Sequence, residues 1–224
     1  MSGAARIVAI DGPAGAGKST VARRVAERLG FAFLDTGAMY RAATWRALAR
    51  GVDLDDPDAL AASTRDMRLE MEETPQGQRV TVDGEDVTAA IRTPEVTRLI
   101  YKLDQIPGVR RILVDHQRRF GERGPTVAEG RDIGTVVFPA AKCKIYLDAS
   151  LDCRTRRRAA ELSAKGLPVD FDQLREDIRD RDEKSATRAD SPLRRAEDAV
   201  LLDTTDMTAD EVVEAIASLA GKCP

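Results

Sequence analysis

The 224 residues suffice for one sizeable buried core, and 42% hydrophobic with 33% charged residues excludes a disordered or fibrous chain. The 35 basic and 38 acidic residues leave a net charge of -3, so no global attraction for nucleic acid or an anionic membrane is expected and any anion site must be local. No stretch reaches the roughly 18 consecutive apolar residues that a membrane-spanning helix needs, which argues against a membrane protein.

In chain order, residues 6–10 read as a short buried strand with no export signal around it, so a cytoplasmic protein is expected. A glycine-rich turn follows, then a helix over 18–29 with Val21, Val25 and Leu29 on one stripe and Gly30 as the stop. Residues 31–34 form a second strand and 38–50 a second helix ending at Gly51; this β-α-β-α order favours a parallel sheet flanked by helices. From 52 to 107 the texture changes to Asp-rich turns, alternating stretches at 68–72 and 79–82 across Thr74-Pro75-Gln76-Gly77, and a helix over 93–103. The rhythm then resumes: a helix over 109–120, strands at 126–128 and 142–147, and charged helices over 152–165 and 171–184 broken at Gly166-Leu167-Pro168. A strand at 199–202 and a helix over 209–220, capped by Thr208, complete the chain. Cys143, Cys153 and Cys223 match neither a zinc pattern nor a disulfide framework and read as free thiols. His116, the single histidine, reads as a helix-surface residue, and its solitude disfavours Ser-His or Cys-His hydrolase chemistry.

Gly12-Pro13-Ala14-Gly15-Ala16-Gly17-Lys18-Ser19 meets G-x-x-x-x-G-K-[ST] at every defined position, between a predicted strand and a predicted helix. Its glycines let successive amides point inward, and the helix that follows offers its positive end to phosphates. Lys18 is expected to bridge the β and γ phosphates of ATP and Ser19 to hold the Mg²⁺ that the nucleotide carries, with Thr20 capping the helix or touching the α phosphate. A GTPase would add D-x-x-G, which is absent, and N-K-x-D, of which Tyr101-Lys102-Leu103-Asp104 is only a remnant. Ile112-Leu113-Val114-Asp115 imitates a second ATPase motif inside a helical stretch, while Asp148 is the better-placed strand-end carboxylate.

A small kinase remains, and phosphoryl transfer asks for arginines that hold a second phosphate in line with the first. Arg41 follows the turn at 34–40, Gly130-Arg131-Asp132 follows a strand, and Arg154, Arg156, Arg157 and Arg158 crowd one helix ahead of Arg179, Arg181 and Arg188. Together they suggest a helical lid.

The chain resembles the bacterial cytidylate kinases over nearly its full length. The resemblance is carried by Ile10-Asp11-Gly12-Pro13, Leu34-Asp35-Thr36-Gly37 with Tyr40-Arg41, Gly84-Glu85-Asp86-Val87 and Ile91-Arg92-Thr93-Pro94-Glu95-Val96. It continues through Glu129-Gly130-Arg131-Asp132-Ile133-Gly134-Thr135-Val136-Val137-Phe138-Pro139, Arg181-Asp182 and Ser191-Pro192-Leu193. It implies an α/β fold with a P-loop NTPase-type parallel sheet: a core at 1–51, 108–150 and 186–224, an inserted antiparallel monophosphate-binding unit at 52–107, and a helical lid at 151–185. It also implies Arg41, Arg131 and Arg188 on the acceptor phosphate, Arg110 and Asp132 on the cytosine edge, Arg181 on acceptor phosphate or ribose, and Arg157 and Arg158 reaching the ATP phosphates. Thr36, Tyr101 and Ser185 belong to the implied CMP site; relatives carry Ser at the Tyr101 position and Asp at the Ser185 position. The implied substrates are ATP and CMP or dCMP. UMP, dTMP or a small metabolite as acceptor, and a non-enzymatic nucleotide-binding regulator, are the alternatives, and a monomer is expected in the absence of an apolar heptad face.

Overall fold

The computed structural model describes residues 6–74, 77–164 and 166–223. Its contacts divide the chain into two compact units, one running through Ala32 and resuming at Gly124, the other Phe33–Arg123.

In the first unit, β1 (Ile7–Asp11) leads through the glycine-rich loop into α1 (Lys18–Leu29), and Gly30 ends that helix in the left-handed conformation its missing Cβ permits. β6 (Thr126–Gly130) and β7 (Cys143–Asp148) flank β1 in parallel, and β8 (Val200–Asp203) extends the sheet parallel to β7. With β2 (Ala32–Asp35) the five-stranded order is β2-β6-β1-β7-β8. β1 and β6 are almost wholly buried, as central strands covered on both faces must be. α1 packs on β6 and on α8 (Ala209–Lys222), which opens with a reciprocal cap: Thr208 Oγ1 accepts from the Glu211 amide at 3.3 Å and Glu211 Oε2 accepts from the Thr208 amide at 2.8 Å. Such a cap is worth about 1 kcal/mol. α6 (Leu151–Ala164) and α7 (Phe171–Thr187) pack on each other. The expected end of the first of these at Lys165 lies outside the described residues.

The second unit holds α2 (Thr36–Ala49), α3 (Pro57–Arg65), the antiparallel strands β3 (Leu69–Thr74), β4 (Gly77–Val82) and β5 (Glu85–Asp86), then α4 (Pro94–Asp104) and α5 (Pro107–Gly121). Pro75 and Gln76 of the expected turn lie outside the described residues. α3 replaces turns expected from the Asp-rich composition. Asp56 accepts from the Asp58 and Ala59 amides, Pro57 takes a first-turn position where no amide is needed, and Leu60, Ala61 and Thr64 are buried. α2 begins at Thr36, two residues earlier than expected, because Asp35 caps it by accepting from the Ala38 amide at 2.9 Å. Arg41 is therefore a helical residue rather than one that follows a turn. His116 is half-buried rather than superficial, lining a cavity of about 120 Å³ with Met39, Leu69, Met71 and Phe120. Asp115 sits within α5, which removes the segment before it as a strand-borne ATPase motif. No helix among the described residues is long and apolar enough to cross a membrane.

Candidate active site

The loop between β1 and α1 is shaped by two glycines. Gly12 has φ +151°, and a Cβ there would stand 2.1 Å from the Leu147 carbonyl oxygen on β7, so the strand closes in where no side chain is allowed. Gly15 has φ +75°, with Arg154 Cβ 3.0 Å from where its own Cβ would be. Gly12→Ala is expected to displace the loop and abolish any melting shift that a nucleoside triphosphate produces in the unsubstituted protein; an equal shift in both would contradict the close approach.

Lys18 opens α1 and is buried, its ammonium donating to the Pro13 carbonyl at 2.7 Å. Burial first, then the neighbouring Arg131 guanidinium, bring it down to about 7, with Glu129 and Asp182 opposing the drop. A buried ammonium beside guanidinium groups, at a glycine-rich loop that leads into a helix N-terminus, is the chemistry a polyphosphate satisfies. Gly17, not Thr20, occupies the cap position of α1 and makes no side-chain cap bond; Thr20 is exposed. Pro13, Ala14 and Ala16 are buried in the loop wall. Ser19 is exposed at the loop end, and its hydroxyl donates to Glu129 Oε1 at 2.6 Å. That hydroxyl and carboxylate put two hard oxygen donors side by side at the loop end.

Beyond β6 the chain enters a wide turn over Ile133–Val137, organised by Asp11 at the end of β1. The buried Asp11 carboxylate accepts from the Ile133 amide at 2.7 Å and from the Gly134 amide at 2.8 Å. Burial raises its carboxyl to about 6 against the lowering effect of both amides. This fixes Arg131 and Asp132 just before the turn. Arg131 Nη1 donates to the Gly12 carbonyl at 2.6 Å, which lays the guanidinium on the phosphate loop. Asp132 is buried, with Oδ1 3.5 Å from Arg188 Nη2, and Arg188 Nε donates to the Ser191 carbonyl at 2.6 Å. Ser185 on α7 is buried, and its hydroxyl donates back to the Arg181 carbonyl at 2.8 Å.

The basic helix sorts its arginines in a way that spacing did not reveal. Arg154 Nη1 donates to the Ala14 carbonyl at 2.8 Å and also to Asp182, while Nε donates to the Ala149 carbonyl at 2.9 Å. Arg157 is tied instead to the segment after β8, donating to Thr204 Oγ1 at 3.0 Å and the Thr204 carbonyl at 2.6 Å. Arg158 donates to Glu161 at 2.8 Å on the helix surface. Sequence reasoning gave no role to Asp11, Glu129 or Asp182, and read Arg154 only as one member of a lid cluster. Only Glu129, a carboxylate at a strand end beside G-R-D, carried a local signal.

In the Phe33–Arg123 unit, Thr36 is buried at the start of α2, and Arg41 Nη1 donates to Thr97 Oγ1 at 2.6 Å. Arg110 on α5 is 2% exposed, its guanidinium 5.6 Å from the centre of the Tyr40 ring, the range of a cation–π contact. Tyr101 on α4 is partly exposed.

The family model described as cytidylate kinase matches residues 8–222. The chain is 49% identical over 215 residues to a cytidylate kinase of Geobacillus kaustophilus, covering 96% of each chain. It is 50% identical over 212 residues to one of Shouchella clausii, covering 95% of this chain and 94% of that one. A solved structure of an uncharacterized protein from Eubacterium ventriosum superimposes with a TM-score of 0.54 at 12% identity, over 97% of this chain and 99% of that one, a likeness of fold alone. With a strand-loop-helix phosphate site and this match along the whole sheet and its helices, the chain belongs to the cytidylate kinase family.

Proposed function

We propose that the protein passes the γ-phosphoryl of ATP directly to a phosphate oxygen of CMP or dCMP, giving ADP and the diphosphate. The observation that carries this reading is the buried Lys18 ammonium, held low by burial and by Arg131 at the glycine-rich loop between β1 and α1. Such a site is short of negative charge until a polyphosphate enters it.

The chain's own groups account for the chemistry without a protein nucleophile. The loop amides and Lys18 take the β and γ phosphates, so charge that develops on transfer meets donors already in place. The acceptor phosphate has its second pKa at about 6, so near neutrality it attacks as the dianion and needs no base. Arg41, Arg131 and Arg188 are assigned to that phosphate, because guanidinium forks match its oxygens. Arg181 is assigned to acceptor phosphate or ribose, with Thr36, Tyr101 and Ser185 completing the CMP site. Asp132 accepts from the exocyclic amine of cytosine, with Arg110 beside the base; uracil lacks that amine. Arg157 and Arg158 belong to the 151–185 lid, closing over ATP on a core of 1–51, 108–150 and 186–224, with 52–107 as the acceptor-binding insertion. Ser19 and Glu129 would hold Mg²⁺ on the nucleotide, which supplies neutralisation of the β and γ oxygens. The same reading has a monomeric, cytoplasmic enzyme.

A coupled ADP-release assay over CMP, dCMP, UMP, AMP and shikimate tests it. CMP and dCMP should lead. Turnover confined to another acceptor rejects the cytosine assignment, and ATP binding with no acceptor phosphorylated rejects phosphoryl transfer.

A further inference from the structure

The phosphate loop is gripped from outside by a residue with no place in the reaction described so far. Asp182 lies on α7, 168 residues along the chain from Ala14, yet its Oδ1 accepts from the Ala14 amide at 2.8 Å. Its Oδ2 accepts from Arg154 Nη1, the same nitrogen that donates to the Ala14 carbonyl at 2.8 Å. Ala14 thus has its amide held by the carboxylate and its carbonyl held by the guanidinium, closing a ring of three hydrogen bonds. Arg131 Nη1 stands 3.9 Å from Asp182 Oδ1 while donating to the Gly12 carbonyl, so the carboxylate also faces the guanidinium on the other limb of the loop. The side chains of Asp182, Arg154 and Arg131 are 18%, 10% and 17% exposed, dry enough for charge-assisted bonds to hold their geometry.

The peptide units on either side of the Ala14 Cα are each held, one by its N–H and the next by its C=O, so the backbone there has little freedom to turn. We propose that Asp182 is a positioning residue for phosphoryl transfer: from α7 it fixes the loop backbone on both sides of Ala14, directly at the amide and through Arg154 at the carbonyl, and orients Arg131, so the loop and a catalytic guanidinium keep their alignment on the transferring group. The inference rests on the phosphoryl-transfer reading above. It gives Arg154, rather than its exposed neighbour Arg156, the task of joining α6 to the loop.

Three variants and two readouts test this. Asp182→Asn keeps an oxygen for the Ala14 amide but loses the charge that holds Arg154 and faces Arg131, and should lower kcat about 10-fold. Asp182→Ala loses both interactions and should lower kcat about 100-fold. The KM for CMP should rise by less than kcat falls in both, since Arg41 and Arg188 still hold the acceptor when Arg131 is misaligned. Asp182→Glu, which keeps the charge one methylene further out, should recover part of the loss relative to alanine. Melting temperatures of the free proteins, measured beside these, separate unfolding from misalignment, and Asp182→Asn remains informative if the alanine variant does not fold. Wild-type kcat in Asp182→Asn and Asp182→Ala overturns the inference. So does a loss that appears only as lowered melting temperature, or glutamate doing no better than alanine. A wild-type enzyme that turns over no CMP would instead sink the transfer reading, and the two failures are told apart by that control.

Discussion

Lys18→Ala should turn over CMP about a thousand-fold more slowly than the wild type while melting within a few degrees of it. The rate loss follows from removing the Lys18 ammonium at the phosphate loop, where charge accumulates on the transferring group in a site with little water to screen it. Stability survives because the ammonium is a liability in the free protein: burial and Arg131 hold it at about 7, so alanine relieves a disfavoured charge as it removes packing. Near-normal turnover would strip Lys18 of its role. The same shift predicts a proton signature. Above pH 7 part of the free protein carries neutral Lys18, and a bound polyphosphate favours the ammonium, so ATP binding at pH 8 should take up protons. Calorimetry in buffers of different ionisation enthalpy reads that uptake; the alanine variant should show less, and equal uptake would assign the proton elsewhere.

Arg131→Ala should lower kcat/KM for CMP about a hundred-fold or more, with Arg131→Lys giving little back. This guanidinium is anchored on the Gly12 carbonyl at 2.6 Å beside Asp182, and a planar fork can hold that anchor while presenting further donors to a phosphate. A lysine has one point of charge and cannot do both. Because Arg131 is the foremost charged group depressing Lys18, its removal should also reduce proton uptake on ATP binding at pH 8. A coupled assay with CMP varied checks the first effect and the calorimetry the second. Wild-type kcat/KM in the alanine variant would take Arg131 out of the acceptor site.

α1 was legible to the residue because an apolar stripe and a terminal glycine are local signals, and the phosphate loop was legible because its backbone needs glycine at fixed spacing. α3 was hidden by its acidic surroundings, although Asp56-Pro57 holds both the cap and the first-turn proline. The division of labour among the arginines of α6 could not be read at all. Arg154, Arg157 and Arg158 are chemically alike, and what separates them is whether Ala14 and Asp182, Thr204, or Glu161 lies across the gap.

Apart from α3 and the short β5, the order of strands and helices, the phosphate loop and the family were thus written in the sequence, because periodicity, caps and positive-φ glycines act within a few residues of themselves. Which carboxylate meets which donor was decided only by the folded chain: Asp11 on the amides of residues 133 and 134, Glu129 on the Ser19 hydroxyl, and Asp182 on the Ala14 amide join residues from 110 to 168 positions apart. Such pairing depends on distance in space, which strand order and helix packing set and local sequence does not carry.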